Sequence, residues 1–200
     1  MPNLLEDYGP EDDYRSRLMR GMAMAVAEKG YGDTTIADVV RHARVSKRTF
    51  YEHFSSKEDC LLAVYVAARG LTLKAIATAV EESPNEETRI ERATAAFLNQ
   101  LQRAPLLVRA LYVDILALGA KGLQLRRQTN QRFADLLQQL AKEEQKKKPG
   151  GKGLTAEMAM AVVGGITELI LKAVEEDRVE QLSELADPIN DFIRVVADHI

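Results

Sequence analysis

Apolar residues recur at helical spacing along nearly the whole chain, and the strict alternation that marks a half-buried strand is absent. Leu18, Met22, Ala25 and Val26 fall at i, i+4, i+7 and i+8, one face of a helix predicted over about 11–29. Gly30 and Gly32 end it. Thr34 or Thr35 caps a short second helix that puts Ile36, Val39 and Val40 on one side. After the turn Ala43-Arg44-Val45, Ser46 caps a third helix, with Phe50 and Phe54 one turn apart on its buried face. Ser56 opens a fourth, with Asp59 in the capping-box place usually held by Glu or Gln. That helix is long, about 57–82, and stops at Ser83-Pro84-Asn85. Three more are predicted near 86–103, 105–118 and 121–147; Pro105 suits a first turn, and Gly119 and Gly122 break the chain before the last of them. Lys146 to Gly153, KKKPGGKG, reads as a loop. The two final helices, near 155–177 and 182–199, carry wide apolar stripes: Met158, Val162, Gly165, Ile166 and Leu169, then Leu185, Ile189, Phe192, Ile193 and Val196. The expected fold class is all-α, with about nine helices.

Composition narrows the setting. Of 200 residues, 46% are hydrophobic, enough for a core, and 28% are charged, enough for a soluble surface. No unbroken apolar run approaches the ~18 residues that span a bilayer, and the acidic N-terminus lacks a charged-then-apolar leader pattern, so a cytoplasmic chain without a membrane partner is expected. Cys60 is the only cysteine, which excludes an internal disulfide; within Cys-Leu-Leu-Ala-Val it reads as a packed core thiol. The net charge of −3 is unevenly placed. Arg41, Arg44, Lys47, Arg48 and Lys57 stand against Glu52 alone in residues 41–57, so the positive charge gathers where the two short helices meet. The arm 1–12 is the reverse: Glu6, Asp7, Glu11 and Asp12, followed by Asp13, unfit it for a minor groove.

Two short helices, a tight turn and a Ser-capped helix rich in bases and aromatics form the pattern of a helix-turn-helix that lays its second helix in the major groove of DNA. The residues Thr34-Thr35-Ile36, Ala43-Arg44-Val45-Ser46, Thr49-Phe50-Tyr51-Glu52-His53-Phe54 and Ser56-Lys57-Glu58 carry a resemblance to the TetR family of bacterial transcriptional regulators. The motif covers about a quarter of the chain. The chain departs from the family pattern at two places: Arg44 stands at the turn glycine and Val40 at a small residue. If the turn needs positive φ, Arg44 carries strain of about 1 kcal/mol.

The resemblance implies a three-helix DNA-binding domain over 13–58 behind the arm, a helical effector-binding and dimerisation domain over 59–200, and a repressor released from a near-palindromic double-stranded DNA operator by a small hydrophobic or amphipathic effector. Carried over by position, Thr35, Tyr51, His53 and Lys57 would hold phosphates; Lys47, Arg48 and Thr49, behind the Ser46 cap, would read bases; Arg44 is open between the two. His53 also has a capping or packing reading. An effector pocket would draw on Phe97, Leu101, Tyr112, Ile115, Phe133 and Leu137. The two terminal stripes suggest a homodimer interface through Val162, Gly165, Leu169, Ile189, Phe192, Ile193 and Val196, and Gly164-Gly165 would admit a second helix closely. Catalysis is not expected: His42, His53 and His199 lack zinc-protease spacing, no G-x-S-x-G or G-x-G-x-x-G occurs, and Gly151-Lys152-Gly153 only mimics a phosphate loop. No cofactor or metal is implied. The alternative is a helical protein–protein adaptor without sequence-specific DNA binding, against which the basic 41–57 segment argues.

Overall fold

The computed structural model describes residues 13–85, 88–145 and 153–198. The acidic arm 1–12, the predicted helix start at Glu11, the lysine run 146–148 with most of its loop, and His199 lie outside the described residues. Nine α-helices and no strand occur among the described residues: α1 Tyr14–Asp33, α2 Ile36–Ala43, α3 Lys47–His53, α4 Lys57–Glu81, α5 Arg89–Gln102, α6 Pro105–Tyr112, α7 Gly119–Gln145, α8 Ala156–Glu175 and α9 Ala186–Asp198. Two 3-10 segments, Asp114–Leu118 and Val179–Leu185, precede α7 and α9.

The chain divides into two compact units. The first takes residues up to Thr72 together with Arg103–Leu123, so it reaches beyond residue 58 into α4 and includes α6; the second takes Leu73–Gln102 and the chain from Gln124 onward. In the first unit Leu18, Met22 and Val26 of α1, Val39 of α2, Phe50 of α3 and Cys60, Leu61 and Val64 of α4 are sealed from solvent. Burying a ring such as Phe50 stabilises by roughly 1.5–3 kcal/mol. α1 packs on α2, α3 and α6. In the second unit α5 lies against α9 and the Val179–Leu185 segment. Ala134 of α7, Leu154, and Ala159 and Val163 of α8 form a cluster that Phe133, Leu137, Met158 and Val196 cover.

Four element boundaries differ from the sequence expectation, each for a local reason. α1 continues past a kink at Gly30, whose φ of 77° breaks the helix for one residue before another turn reaches Asp33. The predicted helix 105–118 ends at Tyr112 and tightens into the 3-10 segment after Val113. Gly119, with φ 62°, makes that break alone; Gly122 lies inside α7, where a Cβ would collide with the Ile115 carbonyl. The last helix begins at Ala186, because 179–185 is 3-10. α4 is long and apolar enough to cross a membrane by length and composition alone, with mean hydropathy 1.6. Arg69 and Lys74 interrupt its apolar sequence. Its Cys60, Leu61, Val64 and Tyr65 are buried in the first unit, while Val66 is exposed.

Candidate nucleic-acid interface

The recognition segment is built from its caps. Thr35 has extended backbone and closes a full capping box with Asp38: the Asp38 amide donates to its hydroxyl at 3.3 Å, and its own amide and hydroxyl donate to the Asp38 carboxylate at 2.9 and 2.6 Å. Lys29 adds an ion pair to the same carboxylate at 2.7 Å. Hydrogen bonding from Lys29 and then Thr35 holds the Asp38 carboxyl far below its ordinary value. Ser46 caps α3 by accepting the Thr49 amide at 3.0 Å, and the two hydroxyls share a hydrogen bond of 2.9 Å. The hydroxyls of Thr35 and Ser46 are thus engaged in starting helices.

Between the two helices Arg44 sits in the left-handed region, φ 53° and ψ 47°, so the strain foreseen for a non-glycine turn is present. Its amide closes α2 on the carbonyls of Arg41 and Val40. Its side chain is exposed.

α3 turns one face inward and one outward. Phe50 and Phe54 anchor it, their rings 5.9 Å apart, with the Arg15 guanidinium 5.2 Å from the Phe54 ring. On the outer face Lys47 is exposed and the Arg48 side chain is 90% accessible, bridging to Glu52 one turn on at 3.1 Å. Such an exposed pair is worth ~0.3–0.5 kcal/mol, little obstacle to a better partner. Tyr51 is 59% exposed. His53 is exposed and stacks obliquely on Tyr14 of α1 at 6.3 Å.

The cation Lys57 is placed differently from the rest. It is half-buried, its ammonium donates to the carbonyls of Tyr31 at 3.1 Å and Thr34 at 2.9 Å, and it lies 4.2 Å from the centre of the Tyr31 ring. Tyr31 is itself buried, and desolvation with the nearby Glu58 carboxylate pushes its phenol up to about 12. Cys60 is sealed, and burial pushes its thiol up to about 12, the environment of an inert core thiol.

Three participants have no counterpart in the sequence expectation. Arg17 reaches across to the carbonyls of Ala43, at 3.1 and 2.8 Å, and Arg44, at 2.9 Å. Tyr14, half exposed, borders His53. Gly21 lets α1 touch α2: a Cβ there would lie 2.5 Å from the Val39 carbonyl oxygen and 2.9 Å from the Ala43 nitrogen. A glycine inside a helical pattern is the one readable signal among the three.

The other expected residues fall into both units. Tyr112 and Ile115 belong to the first, where Ile115 is core; Phe97, Leu101, Phe133 and Leu137 belong to the second, where the Phe97 and Phe133 rings meet edge to face at 5.7 Å. Of the stripe residues on α8 and α9, Val162 and Ile189 are sealed in the second unit's own core, 2% and 1% exposed, and Gly165 faces the Phe192 ring. Leu169, Ile193 and Val196 are half-buried, while Phe192 and the unforeseen Val195 are exposed. No group of three or more His, Cys, Asp or Glu able to hold a metal occurs among the described residues.

Comparison with known proteins meets this geometry at the same place. The family model for bacterial regulatory proteins of the tetR family matches residues 20–64, from the middle of α1 into α4. Over this segment the chain is similar to the TetR family of bacterial regulators. It is 26% identical over 93 residues to the transcriptional activator FasR of Mycolicibacterium smegmatis, a match covering 46% of this chain and 42% of that one. The chain spans less than half the length of the curated relatives it matches. Its fold is that of the fatty acid degradation regulator FadR from Bacillus halodurans, with TM-score 0.78 over 92% of this chain and 95% of that one at 19% identity. It is also similar to FadR from Bacillus subtilis, solved in complex with stearoyl-CoA, with TM-score 0.75 over 88% and 96% at 16% identity. At these identities the TetR-like fold is what the structural likeness establishes.

Proposed function

We propose that this chain is a cytoplasmic, sequence-specific DNA-binding transcriptional regulator that acts as a homodimer on a near-palindromic operator. The observation that carries the reading is the outer face of α3. Lys47 and Arg48 stand exposed in its first turn while Phe50 and Phe54 fix the opposite face in the core. An exposed arginine in the first turn of a recognition helix is suited to a guanine edge, the commonest specific contact in the major groove. Thr49 completes the base-reading set; Tyr51, His53 and the amide end behind Ser46 flank it as phosphate donors, with Arg44 beside them, while the Thr35 amide and hydroxyl are spent on Asp38.

Repression is the simplest mode, with release by a small hydrophobic or amphipathic effector held in the second unit around Phe97, Leu101, Phe133 and Leu137. Linkage then requires DNA and effector to lower each other's affinity by the same factor. Stearoyl-CoA, bound by the Bacillus subtilis FadR, is the first effector to try. Activation is the second reading, favoured by the name of the FasR relative. Dimerisation would use what α8 and α9 leave outside the protomer: Phe192, Val195, Ile193 and the open flank of Gly164.

Selection of duplexes from a random library by the purified chain tests the reading, followed by anisotropy against salt. Enrichment of a near-palindrome whose affinity falls steeply with salt is expected. Absence of binding at every salt concentration would refute the reading and bring the adaptor forward. Transcription from the selected operator, with and without the chain, separates repressor from activator.

A further inference from the structure

We propose that Arg17 and Lys57 are positioning residues that bracket α2 from its two ends and so set where α3 meets DNA, a role that rests on the DNA-binding reading. α2 is short, with eight residues, and its last carbonyls have no intrahelical donor. Arg17 of α1 supplies one: its Nε and Nη2 close on the Ala43 carbonyl, and Nη2 also reaches the Arg44 carbonyl in the strained turn. A guanidinium against the negative end of a helix is doubly favoured, by charge-assisted hydrogen bonding and by the helix dipole. At the other end the Lys57 ammonium ties the first residue of α4 to the Tyr31 and Thr34 carbonyls, immediately before the Thr35 cap. The Tyr31 carbonyl also accepts the Thr34 amide, and the Thr34 hydroxyl donates to the Gly30 carbonyl at 2.7 Å, so the lysine grips a turn already fixed. The helix-turn-helix is thereby held at its entrance and at its turn by cations from outside it.

This assigns Lys57 a task other than the phosphate contact that its place in the motif suggests. An ammonium has three donors, and two are engaged with backbone while the Tyr31 ring covers the group. Arg48, Lys47 and Arg44 face outward and carry the electrostatics of binding; Lys57 and Arg17 carry the geometry.

The two roles separate in salt. Losing a phosphate anchor weakens all DNA alike and lowers the slope of log K against log salt by about 0.9. Losing a positioning group leaves that slope on scrambled DNA intact and reduces only the preference for the operator. Arg17→Met and Lys57→Met keep most of each stem and remove the donors. The expected result, measured well below each variant's unfolding midpoint, is a fall of about tenfold in the ratio of operator to scrambled-duplex affinity. The scrambled-duplex slope stays unchanged, and Lys57→Arg restores most of the ratio. Amide hydrogen exchange across 36–43 accelerates in both Met variants without DNA. Equal weakening on both duplexes with the slope reduced by about 0.9 would return Lys57 to the phosphates and overturn the proposal. Unchanged exchange in α2 would overturn it as well. If the unaltered chain binds no DNA, the DNA-binding reading fails by itself, and the exchange measurement still decides whether the bracket exists.

Discussion

Glycine serves opposite ends in the two units. In the first, Gly21 brings the α1 backbone against α2, and Gly122 brings α7 against the Ile115 carbonyl; at both, the obstacle to a larger residue is main chain. In the second, the pair Gly164-Gly165 looks like a helix-packing motif, yet Gly164 has open space beside it and Gly165 meets only the Phe192 ring. An adjacent glycine pair is conspicuous in a sequence, and a lone glycine inside a helix is easily passed over. The structure reverses that ranking, because backbone cannot yield and a half-exposed side chain can.

Substitution offers the most direct way to break this contrast. Gly21→Ala should destabilise the chain by about 3 kcal/mol, the upper part of the range for overpacking, since α1 and α2 must separate along their contact. Gly165→Ala should change stability by less than about 1 kcal/mol, because the Phe192 ring at 3.3 Å can swing toward solvent. Urea unfolding of the two variants decides it, and equal losses would erase the distinction.

The same division applies to the proposed DNA-facing surface, where exposed residues are expected to act on binding with little effect on folding. Arg48→Ala should relax the preference at one base pair per half-site by about 1–3 kcal/mol. It should shift unfolding by less than about 0.5 kcal/mol, since only the exposed pair with Glu52 is lost. Repeating the library selection with the variant shows which base loses its bias. Arg44→Gly makes the two effects oppose. Relief of the left-handed conformation should stabilise the fold by about 1 kcal/mol, while removal of a cation beside α3 should weaken DNA. A drop of about 0.9 in the salt slope would assign Arg44 to a phosphate, and a changed base preference would assign it to a base.

What the sequence displays, and what it hides, follows from whether an interaction marks both partners. Thr35 with Asp38 and Ser46 with Thr49 are side-chain pairs three residues apart, so the start of α3 could be read from local spacing and that of α2 to within Thr34 or Thr35. The Arg17 and Lys57 contacts end on backbone carbonyls more than twenty positions away, and a carbonyl belongs to every residue type. No motif records them. The stripes on α8 and α9 were legible as apolar faces, but periodicity does not say against what a face packs; Val162 and Ile189 lie inside the protomer's own core. The split of α6 from its 3-10 continuation was hidden too, because Asp-Ile-Leu-Ala-Leu suits either helix.

Gly164 brings the comparison to the smallest effect and to the assembly. An alanine at this position meets nothing within the protomer, and replacing a mid-helix glycine usually stabilises by about 0.5–1 kcal/mol. The unfolding of a dilute, monomeric sample should therefore move upward in Gly164→Ala. If a second protomer approaches α8 through that open flank, the added methyl meets it, and sedimentation should show dimer dissociation strengthened by about tenfold. A variant that gains stability and keeps its dimer would leave Gly164 outside the interface. The contact would then have to run through the exposed Phe192 and Val195, where Val195→Lys would be expected to separate the protomers.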